Sequence, residues 1–546
     1  MRFKFLKGSF FLWSLVVLFW ALDLTYRPSL WTIVGALSVM STIFGLFLLL
    51  TGKWRTSLLW LTIVGVALYL LNLGKRLFWK DRLKFEDFTV FTDPTNFETV
   101  FHYPLECGLA TLLLIGLIFF CIKSFYVDKT KLTVMNRLTI ATLSIIVGVW
   151  GAYYALQNGQ QKWMENMRKG SNVIANILMS SKLQYTSPAS LMVSGEKFPT
   201  PMDHIGKDLS KPLSDIVLIL QESTMDPRSL KGIDPESLPT LTMFNSPYAT
   251  QQGALRVHTY GGGTWRSEFS ALTGLSSSDF GVLAGSVFYS AVFHVQDSLW
   301  SRLKRAGYKI IIVTPFAEGS YNSGKAYHQL GVDEMIHVAD LGWPGSNRKN
   351  VWDIPTSELL AMVRKVMERD HSGPIAVYAL TMREHGPYPA QKNHSLRATE
   401  SKVDVGQLAS LAEYVDRLKS ADKAVVEFDQ WIQQRARPTV MVRFGDHQPA
   451  LSWKAGQNSS EINPEYITNY ALVDNQVQGK ETIPALTDII FLPSLILKRI
   501  GVEMGDFYKT ALTMYELCDG RYQDCSDKRL LKAFQNEIYV NQRIAE

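Results

Sequence analysis

The chain has 546 residues, which is too long for one average domain. Hydrophobic residues make up 47% of it, and the long apolar runs concentrate before residue 160, whereas the remainder has the composition of a soluble globular protein. The formal net charge of +6 comes without a basic stripe or a nucleic-acid-binding motif, so we exclude nucleic acid as a partner.

Apolar runs predict a transmembrane domain over residues 1–156. A membrane-spanning helix needs about 20 apolar residues, and uncharged runs near that length lie at residues 31–51, 57–74, 107–122 and 138–156. A fifth run, at residues 8–22, follows basic residues and precedes no Ala-x-Ala cleavage site, so we interpret it as an anchored helix and not as a signal peptide. The sequence therefore predicts five transmembrane helices.

The positions of Lys and Arg predict the orientation of these helices. The basic N-terminus and the basic loops near residues 53–55 and 129–137 fall on the cytoplasmic side of the inner membrane. Five crossings then place everything after residue 156 on the periplasmic or extracellular side. The loop at 75–106 disagrees, because it is basic and external; its Lys and Arg side chains would meet lipid phosphates there. A four-helix topology is the alternative.

Residues 157–213 connect the two halves of the chain. The stretch at 157–182 predicts a juxtamembrane amphipathic helix, and the segment at 187–212, rich in Ser, Pro and Gly, predicts a linker. A soluble extracytoplasmic domain then spans residues 214–546. Near its end, Cys518 and Cys525 flank a polar turn that contains a glycine, which suits a disulfide in an oxidising compartment. Two free thiols are the alternative.

The soluble domain alternates short apolar runs with helix-like segments, which predicts an α/β fold. Buried-type strands are expected at residues 215–221, 309–313, 375–380 and 439–443. Ligands of open α/β sheets bind beyond the carboxyl ends of the strands, so the residues that follow each strand are the candidates for a site.

Polar residues follow three of these strands. Glu222 follows the first, Glu384-His385 the third and Asp446-His447 the fourth. Singly they are weak signals, since Glu222 also suits a helix cap and His385 a structural role. Adjacent unlike ligands after a strand, as in Asp446-His447, are a common metal arrangement.

Thr264 follows three glycines and opens a helical pattern. A helix N-terminus offers unpaired N–H groups and the positive end of the helix dipole, which attract a phosphoryl group. Two carboxylates, an imidazole and this hydroxyl would together bind one divalent ion, Zn²⁺ or Mn²⁺. Metal coordination lowers the pKa of a hydroxyl, which would make Thr264 a nucleophile.

These motifs resemble the lipoteichoic acid synthase and membrane phosphoglycerol transferase family, in the sulfatase-like branch of the alkaline phosphatase superfamily. The most specific match is Phe444-Gly-Asp-His-Gln-Pro449, and Asp488-Ile-Ile-Phe-Leu-Pro-Ser494 resembles the closing segment of the fold. The similarity covers the helical part, the linker and the whole soluble domain. It implies a bundle of five transmembrane helices followed by an α/β sulfatase-like catalytic domain.

The resemblance also implies roles for single residues. The metal ligands would be Glu222, Thr264, Asp446 and His447, with Thr264 as the nucleophile. Thr264 and His385 would be the catalytic residues. The substrate-binding residues around the head group would be His385, Tyr321, Asn322, Lys325 and Arg266. Tyr321 and Lys325 stand in for the Trp-x-Arg or Tyr-x-Arg of other members, with a different spacing. No Cys-x-Pro-x-Arg motif surrounds Thr264, which excludes sulfate ester hydrolysis.

The function implied is the transfer of phosphoglycerol from phosphatidylglycerol to a glycan or polymer hydroxyl, through a phosphothreonine-type intermediate. A phosphoethanolamine transferase that uses phosphatidylethanolamine is the first alternative. Relatives with that activity usually carry several disulfides in the soluble domain, and one can form here. A lipid-binding regulatory protein with a decayed site is the second alternative, against which the intact ligand set argues.

Overall fold

The computed structural model of the chain describes residues 29–79, 82–85, 87–88, 104–166, 172–182, 185, 187–191, 197–201, 212–343, 351–451, 453 and 455–546. These residues form two compact units, Met1–Gln184 and Tyr185–Glu546.

The N-terminal unit contains helices that are long and apolar enough to cross a membrane. In the described part of the chain they are four: α1 (Leu30–Thr51), α2 (Trp54–Trp79), α3 (Pro104–Val127) and α4 (Val134–Asn166). Each contains one of the apolar runs found in the sequence and extends beyond it. The fifth predicted helix, at residues 8–22, lies outside the described residues.

Helices α1 and α4 pack closely through small residues. A Cβ atom on Gly45 of α1 would lie 2.8 Å from the carbonyl oxygen of Ala141, and one on Gly148 of α4 would lie 2.6 Å from that of Ser38. The Ser41 hydroxyl donates a hydrogen bond of 2.9 Å to the Ser144 carbonyl across the same interface. Close backbone approach and interhelical hydrogen bonds are what hold helices together in lipid.

The two short connections of this unit meet each other. The Leu132 N–H donates to the Gly52 carbonyl over 3.0 Å, and the Thr56 hydroxyl donates to Asp128 Oδ2 over 2.8 Å. The α1–α2 and α3–α4 connections therefore share one end of the unit. Because these are the basic connections, their arrangement agrees with the positive-inside rule.

The juxtamembrane segment differs from the single helix expected at 157–182. Helix α4 continues to Asn166, and a separate helix, α5, spans Val173–Ser180. The Asn172 side chain caps α5, and Trp163 Nε1 donates to Asn176 Oδ1 over 2.9 Å. Since an Asn at the N-cap starts a new helix, the amphipathic pattern is divided between two elements.

The C-terminal unit is built on an eight-stranded mixed sheet in the order β4-β3-β5-β1-β6-β7-β2-β8. Its strands are β1 (Asp215–Gln221), β2 (Gln251–Arg256), β3 (Lys309–Thr314), β4 (Glu334–His337), β5 (Ile375–Leu380), β6 (Thr439–Gly445), β7 (Ile467–Asp474) and β8 (Leu486–Asp488). The first five in this order are parallel. Strand β7 is antiparallel to both β6 and β2, so β2 ends at the same edge as β6.

Four of these strands are the predicted ones, and β3 and β6 extend slightly further than expected. The predicted architecture, apolar helices followed by an α/β domain, is confirmed. Strands β2, β4, β7 and β8 were not predicted, because β2 begins Gln-Gln-Gly and β8 has three residues.

The first five of the described α-helices in this unit lie in connections between strands, and the last three follow β8. They are α6 (Thr264–Thr273), α7 (Leu299–Arg305), α8 (Ser323–Leu330), α9 (Thr356–Met367), α10 (Val405–Gln433), α11 (Leu492–Ile500), α12 (Gly505–Leu517) and α13 (Lys528–Asn536). Helix α10 is capped by Asp404 and buries a stripe that includes Leu408, Leu411 and Val415 at helical spacing.

Candidate active site

Three candidate ligands meet at one edge of the sheet. Gln221 of β1 lies opposite Gly445 of β6, so Glu222 comes level with Asp446 and His447 just beyond the strand ends. One ligand atom from each of these three side chains lies within 4.8 Å of the others, and all three side chains are buried. The parallel register of β1 and β6 thus creates the cluster.

Thr264 enters the same place from β2 by way of a glycine turn. Gly261, Gly262 and Gly263 have φ angles of 65°, 150° and 79°, which side chains rarely tolerate, and α6 begins directly after them. The Thr264 hydroxyl donates to Glu222 Oε2 over 3.1 Å. Gly263 is the N-cap and has no side chain to cap the helix, and the Arg266 N–H donates to the Gly263 carbonyl over 2.8 Å, so the Thr264 and Trp265 amides are the ones placed to meet an anion.

Two ligand atoms of the cluster take no part in hydrogen bonds among the described residues. Asp446 Oδ1 accepts N–H bonds from Ser223 and His447, each 2.8 Å long. His447 Nδ1 lies 3.0 Å from the Gln448 carbonyl, which fixes the proton on Nδ1 and leaves a lone pair on Nε2. Asp446 Oδ2 and His447 Nε2 are buried and make no hydrogen bond to the described residues.

A divalent cation fits this donor set. His447 Nε2 lies 3.2 Å from Asp446 Oδ2 and 3.4 Å from Glu222 Oε1, which brings a lone pair against two carboxylates. Burial raises the pKa of Asp446 and lowers the pKa of His447, as expected for groups enclosed without a compensating charge. One imidazole nitrogen, two carboxylates and a hydroxyl oxygen are ligands that both Zn²⁺ and Mn²⁺ accept.

His385 lies in the loop that follows β5. Its ring packs edge-on against Trp352, with centroids 4.5 Å apart, and its Nδ1 is bonded to the Gly386 carbonyl. Burial lowers the pKa of His385, while the negative charge of Glu222 acts in the opposite sense. Arg417 of α10 donates to the carbonyls of His385 and Pro387, so a side chain from another element holds this loop.

Tyr321 reaches the neighbourhood of the nucleophile. Its ring stacks on Trp265 and on Phe288, at centroid distances of 5.9 and 6.2 Å. Tyr321 and Asn322 have φ angles of 40° and 62°, and the Asn322 amide donates to the Phe288 carbonyl over 2.7 Å. Backbone strain of this kind persists only where the surroundings fix it, often at functional sites.

The other two proposed substrate residues are placed differently. Lys325 is exposed on α8, and Arg266 Nε lies 3.4 Å from the Ser277 hydroxyl, to which it donates. The Asn322 amide nitrogen is likewise committed to a backbone carbonyl. Among the residues expected around the head group, His385 and Tyr321 therefore have the environments best suited to a pocket.

The sequence reasoning missed Glu268, which is fully buried one turn after Thr264. Tyr327 and Tyr378 both donate to its Oε1, the latter over 2.6 Å, and its Oε2 has no partner among the described residues. Burial raises the pKa of Glu268 to about 7, against the effect of the tyrosine hydrogen bonds. The available signal was its spacing, since residues i and i+4 share a helix face.

Thr381 and Glu384 were also missed as a link to the site. The Thr381 hydroxyl accepts the Glu222 N–H over 3.0 Å and donates to Glu384 Oε2 over 2.9 Å. Glu384 Oε1 accepts from Thr356 over 2.6 Å. Burial raises the pKa of Glu384, so this carboxyl is enclosed and satisfied by hydroxyl groups.

Cys518 and Cys525 form a disulfide, with a Cα–Cα distance of 5.5 Å. It closes the turn between α12 and α13. Cys107 and Cys121 are free and belong to the membrane unit.

Comparison with known proteins identifies the family. The sulfatase family model matches residues 214–502, more than half of the chain. An uncharacterized protein of Haemophilus influenzae is 30% identical over 94% of this chain and 96% of its own length. The capsular polysaccharide biosynthesis protein RkpI of Rhizobium meliloti is 25% identical over 72% of this chain and 73% of its own length. In fold, the chain is similar to the phosphoglycerol transferase GacH of Streptococcus pyogenes, with a TM-score of 0.50 and 16% identity over 72% of this chain and 96% of that one.

The sulfatase match begins at the residue before β1 and contains every candidate ligand, from Glu222 to His447. The predicted resemblance to the sulfatase-like branch is thereby confirmed, and the chain belongs to the sulfatase family.

Proposed function

We propose that the protein is a membrane phosphoglycerol transferase that uses Thr264 as its nucleophile. The observation that carries this proposal is the position of the Thr264 hydroxyl at a helix N-terminus, where it donates a hydrogen bond to Glu222 beside two buried ligand atoms that have no hydrogen-bond partner among the described residues. A nucleophile, a place for a cation and free amides thus converge on one point, as phosphoryl transfer requires. The fold shared with GacH, itself a phosphoglycerol transferase, supports an enzyme of the phosphotransferase kind.

In the first step, the Thr264 oxygen attacks the phosphorus of the lipid phosphodiester. Glu222 Oε2 accepts the hydrogen bond of this hydroxyl and is therefore placed to draw its proton away. An Oγ1–P bond forms and the P–O bond to diacylglycerol breaks, and the proton lost by Thr264 ends on the diacylglycerol oxygen. A Mn²⁺ or Zn²⁺ ion held by Glu222, Thr264, Asp446 and His447 would lower the hydroxyl pKa and offset the phosphodiester charge.

In the second step, a hydroxyl of a glycan or polymer takes phosphoglycerol from Thr264. The new O–P bond replaces the Oγ1–P bond, and the hydroxyl proton returns to Thr264. The first amides of α6 donate to the phosphoryl oxygens in both steps, since the helix N-terminus directs them there. The likeness to RkpI, a capsular polysaccharide biosynthesis protein, supports a glycan as the acceptor.

Glycerol is favoured over ethanolamine by the state of Glu384. A carboxylate is the strongest side-chain partner for an ammonium head group, and Glu384 is the acidic residue next to His385. Both of its oxygens are taken by threonine hydroxyls, and burial raises its pKa. His385 is held neutral by burial, so it accepts a hydrogen bond from a glycerol hydroxyl.

The membrane unit explains the choice of a lipid donor. The described residues contain four helices apolar enough to anchor the chain, and the basic connections at one end of the unit favour an outer position for the end of α4. The catalytic unit would then work on the periplasmic or extracellular face, within reach of phosphatidylglycerol in the outer leaflet.

The test offers the purified full-length enzyme phosphatidylglycerol or phosphatidylethanolamine separately and measures the intact mass of the protein. We expect a phosphoglycerol increment on Thr264 and release of diacylglycerol from the first lipid. A phosphoethanolamine increment, with none from phosphatidylglycerol, would establish the alternative head group. Absence of any adduct or lipid turnover would remove the enzyme assignment.

A further inference from the structure

A cavity of about 210 Å³ lies in the catalytic unit between α10 and the loop that carries His385. Helix α10 contributes Ala412, Val415, Asp416 and Lys419, whose spacing places them on one face. The loop contributes Gln391 and residues 393–396, which follow His385 before α10 begins. The cavity is thus built from the same loop as the proposed head-group residue.

A hydrogen-bond network joins the cavity wall to His385. Gln391 Nε2 donates to Asp416 Oδ2 over 3.0 Å and to Glu413 Oε2 over 2.9 Å. Glu413 Oε1 accepts from Arg417 Nε over 2.8 Å. Arg417 in turn donates to the His385 carbonyl. The cavity wall and His385 are therefore held by one hydrogen-bond network, whose α10 side chains lie on adjoining faces of that helix.

The lining has the chemistry of a site for a neutral polyhydroxyl compound. Asp416 and Lys419 form an ion pair of 3.1 Å at the rim, so their charges offset each other. Asn393 and Ser395 are exposed donors and acceptors, and His394 Nδ1 is buried without a partner among the described residues. Apolar surface completes the lining, from Pro239, Leu396, Ala412 and Val415.

These features together match a sugar. Sugar hydroxyls both donate and accept hydrogen bonds, and the C–H faces of the ring pack on apolar side chains. A phosphate group would require net positive charge, which the paired Asp416 and Lys419 do not supply. The volume is below the roughly 300–1,000 Å³ of pockets for drug-sized ligands, which suits one sugar unit and is too small for a lipid chain.

We propose that this cavity is an acceptor subsite beside the loop that carries His385, where one neutral sugar unit of the glycan binds while a hydroxyl of another unit of the same glycan attacks the phosphothreonine. The inference rests on the proposed function and names the substrate class for its second step. The O–P bond to the sugar forms as the Oγ1–P bond to Thr264 breaks, and the sugar hydroxyl proton passes to the Thr264 oxygen. Binding at the cavity also stabilises the His385 loop, through Gln391 and Arg417.

The test measures binding of glucose, galactose and N-acetylglucosamine to the full-length protein in lipid nanodiscs by saturation-transfer NMR. We expect at least one sugar to bind, and to bind tenfold or more weakly to Lys419→Ala and to the double variant Asn393→Ala/His394→Ala. Lys423→Ala is the matched control, because it is an exposed lysine one turn further along α10, outside the cavity. Thermal unfolding of each variant checks that it is folded.

Three outcomes would overturn the proposal. None of the sugars binds the wild-type protein, the cavity variants bind them as the wild type does, or inorganic phosphate binds in the cavity in their place. Release of diacylglycerol from phosphatidylglycerol by the wild-type enzyme, measured without sugar, tests the proposed function independently. Normal release with no sugar binding would reject the subsite alone, whereas sugar binding without release would reject the transferase and leave a sugar site.

Discussion

Glu222, Asp446 and His447 are positioned by the backbone at the ends of β1 and β6, whereas His385 and Tyr321 are positioned on loops by the side chains of other elements. We call the first group, with Thr264, the strand-end half of the site, and the second the loop half. Strand register fixes the strand-end half, while Arg417, Trp352 and Trp265 hold the loop half. Because loops vary between relatives more readily than strands, a centre fixed by strand ends allows the surrounding loops to differ while the chemistry is kept.

The largest effect is expected at Thr264. Thr264→Ala should lower transfer by roughly 10⁴-fold or more, because alanine has no hydroxyl to act as the nucleophile. The variant should remain folded, since Gly263 and not Thr264 is the N-cap, and loss of one hydrogen bond such as that to Glu222 costs about 0.5–1.5 kcal/mol. Intact-mass analysis and thermal unfolding measure the two effects. Turnover near the wild-type rate by folded Thr264→Ala would remove Thr264 from its role.

The second effect concerns metal binding by the strand-end half. Asp446→Asn and His447→Ala should each weaken Mn²⁺ or Zn²⁺ binding by at least about 10–100-fold. Mutation of a residue that only hydrogen-bonds to a metal ligand already has an effect of that size. A chelator should abolish activity, and added Mn²⁺ or Zn²⁺ should restore it. Metal content by mass spectrometry is the measurement, and His328→Ala, an exposed histidine on α8, is the control. Full activity of metal-free protein would exclude the metal.

The same contrast decides how much of the molecule could be predicted from its sequence. The residues of the strand-end half could be proposed from the sequence, because they occur in local patterns. These patterns are apolar strands followed by Glu222 or by Asp446-His447, and glycines before Thr264. The partners of Glu268 are 59 and 110 residues away, and Arg417 is 32 residues from His385. Contacts at such separations depend on the folded topology, which no local pattern encodes. Polar β2, which delivers Thr264, was missed for the same reason.

Glu268 offers a further test, because it lies on the helix that begins with Thr264 and accepts hydrogen bonds from Tyr327 and Tyr378 on two other elements. Its pKa of about 7 in the folded protein exceeds the ordinary value of 4.5. Between pH 4.5 and pH 7 the Glu268 carboxyl is ionised in the unfolded chain but still protonated in the folded protein. The free energy of unfolding should therefore fall as the pH rises, by up to about 3 kcal/mol, and become constant above pH 7. Glu268→Gln should lack this dependence.

Denaturant unfolding in detergent at pH 4.5, 6 and 7.5 measures the difference between wild type and Glu268→Gln. The exposed Glu358→Gln, on α9, is the control, for which the difference from wild type should stay constant across these pH values. If the difference between wild type and Glu268→Gln were also constant across these pH values, the Glu268 carboxyl would have the same pKa in the folded and unfolded states.

The smallest effect is expected from loosening the loop half alone. Arg417 uses three nitrogens at once, on Glu413 and on the carbonyls of His385 and Pro387. A lysine has a single ammonium group and lacks the planar fork, so Arg417→Lys releases the loop while keeping the charge.

We expect kcat/KM for phosphatidylglycerol to fall about tenfold, which corresponds to about 1.4 kcal/mol. Most of the loss should appear in KM, because the ends of β1 and β6 position Glu222, Asp446 and His447. Arg364→Lys, an exposed arginine paired with Glu368 on α9, is the matched control and should behave as the wild type. Equal loss of kcat with KM unchanged would contradict the division, because it would mean that the loop half takes part in the chemical step and not only in holding the head group.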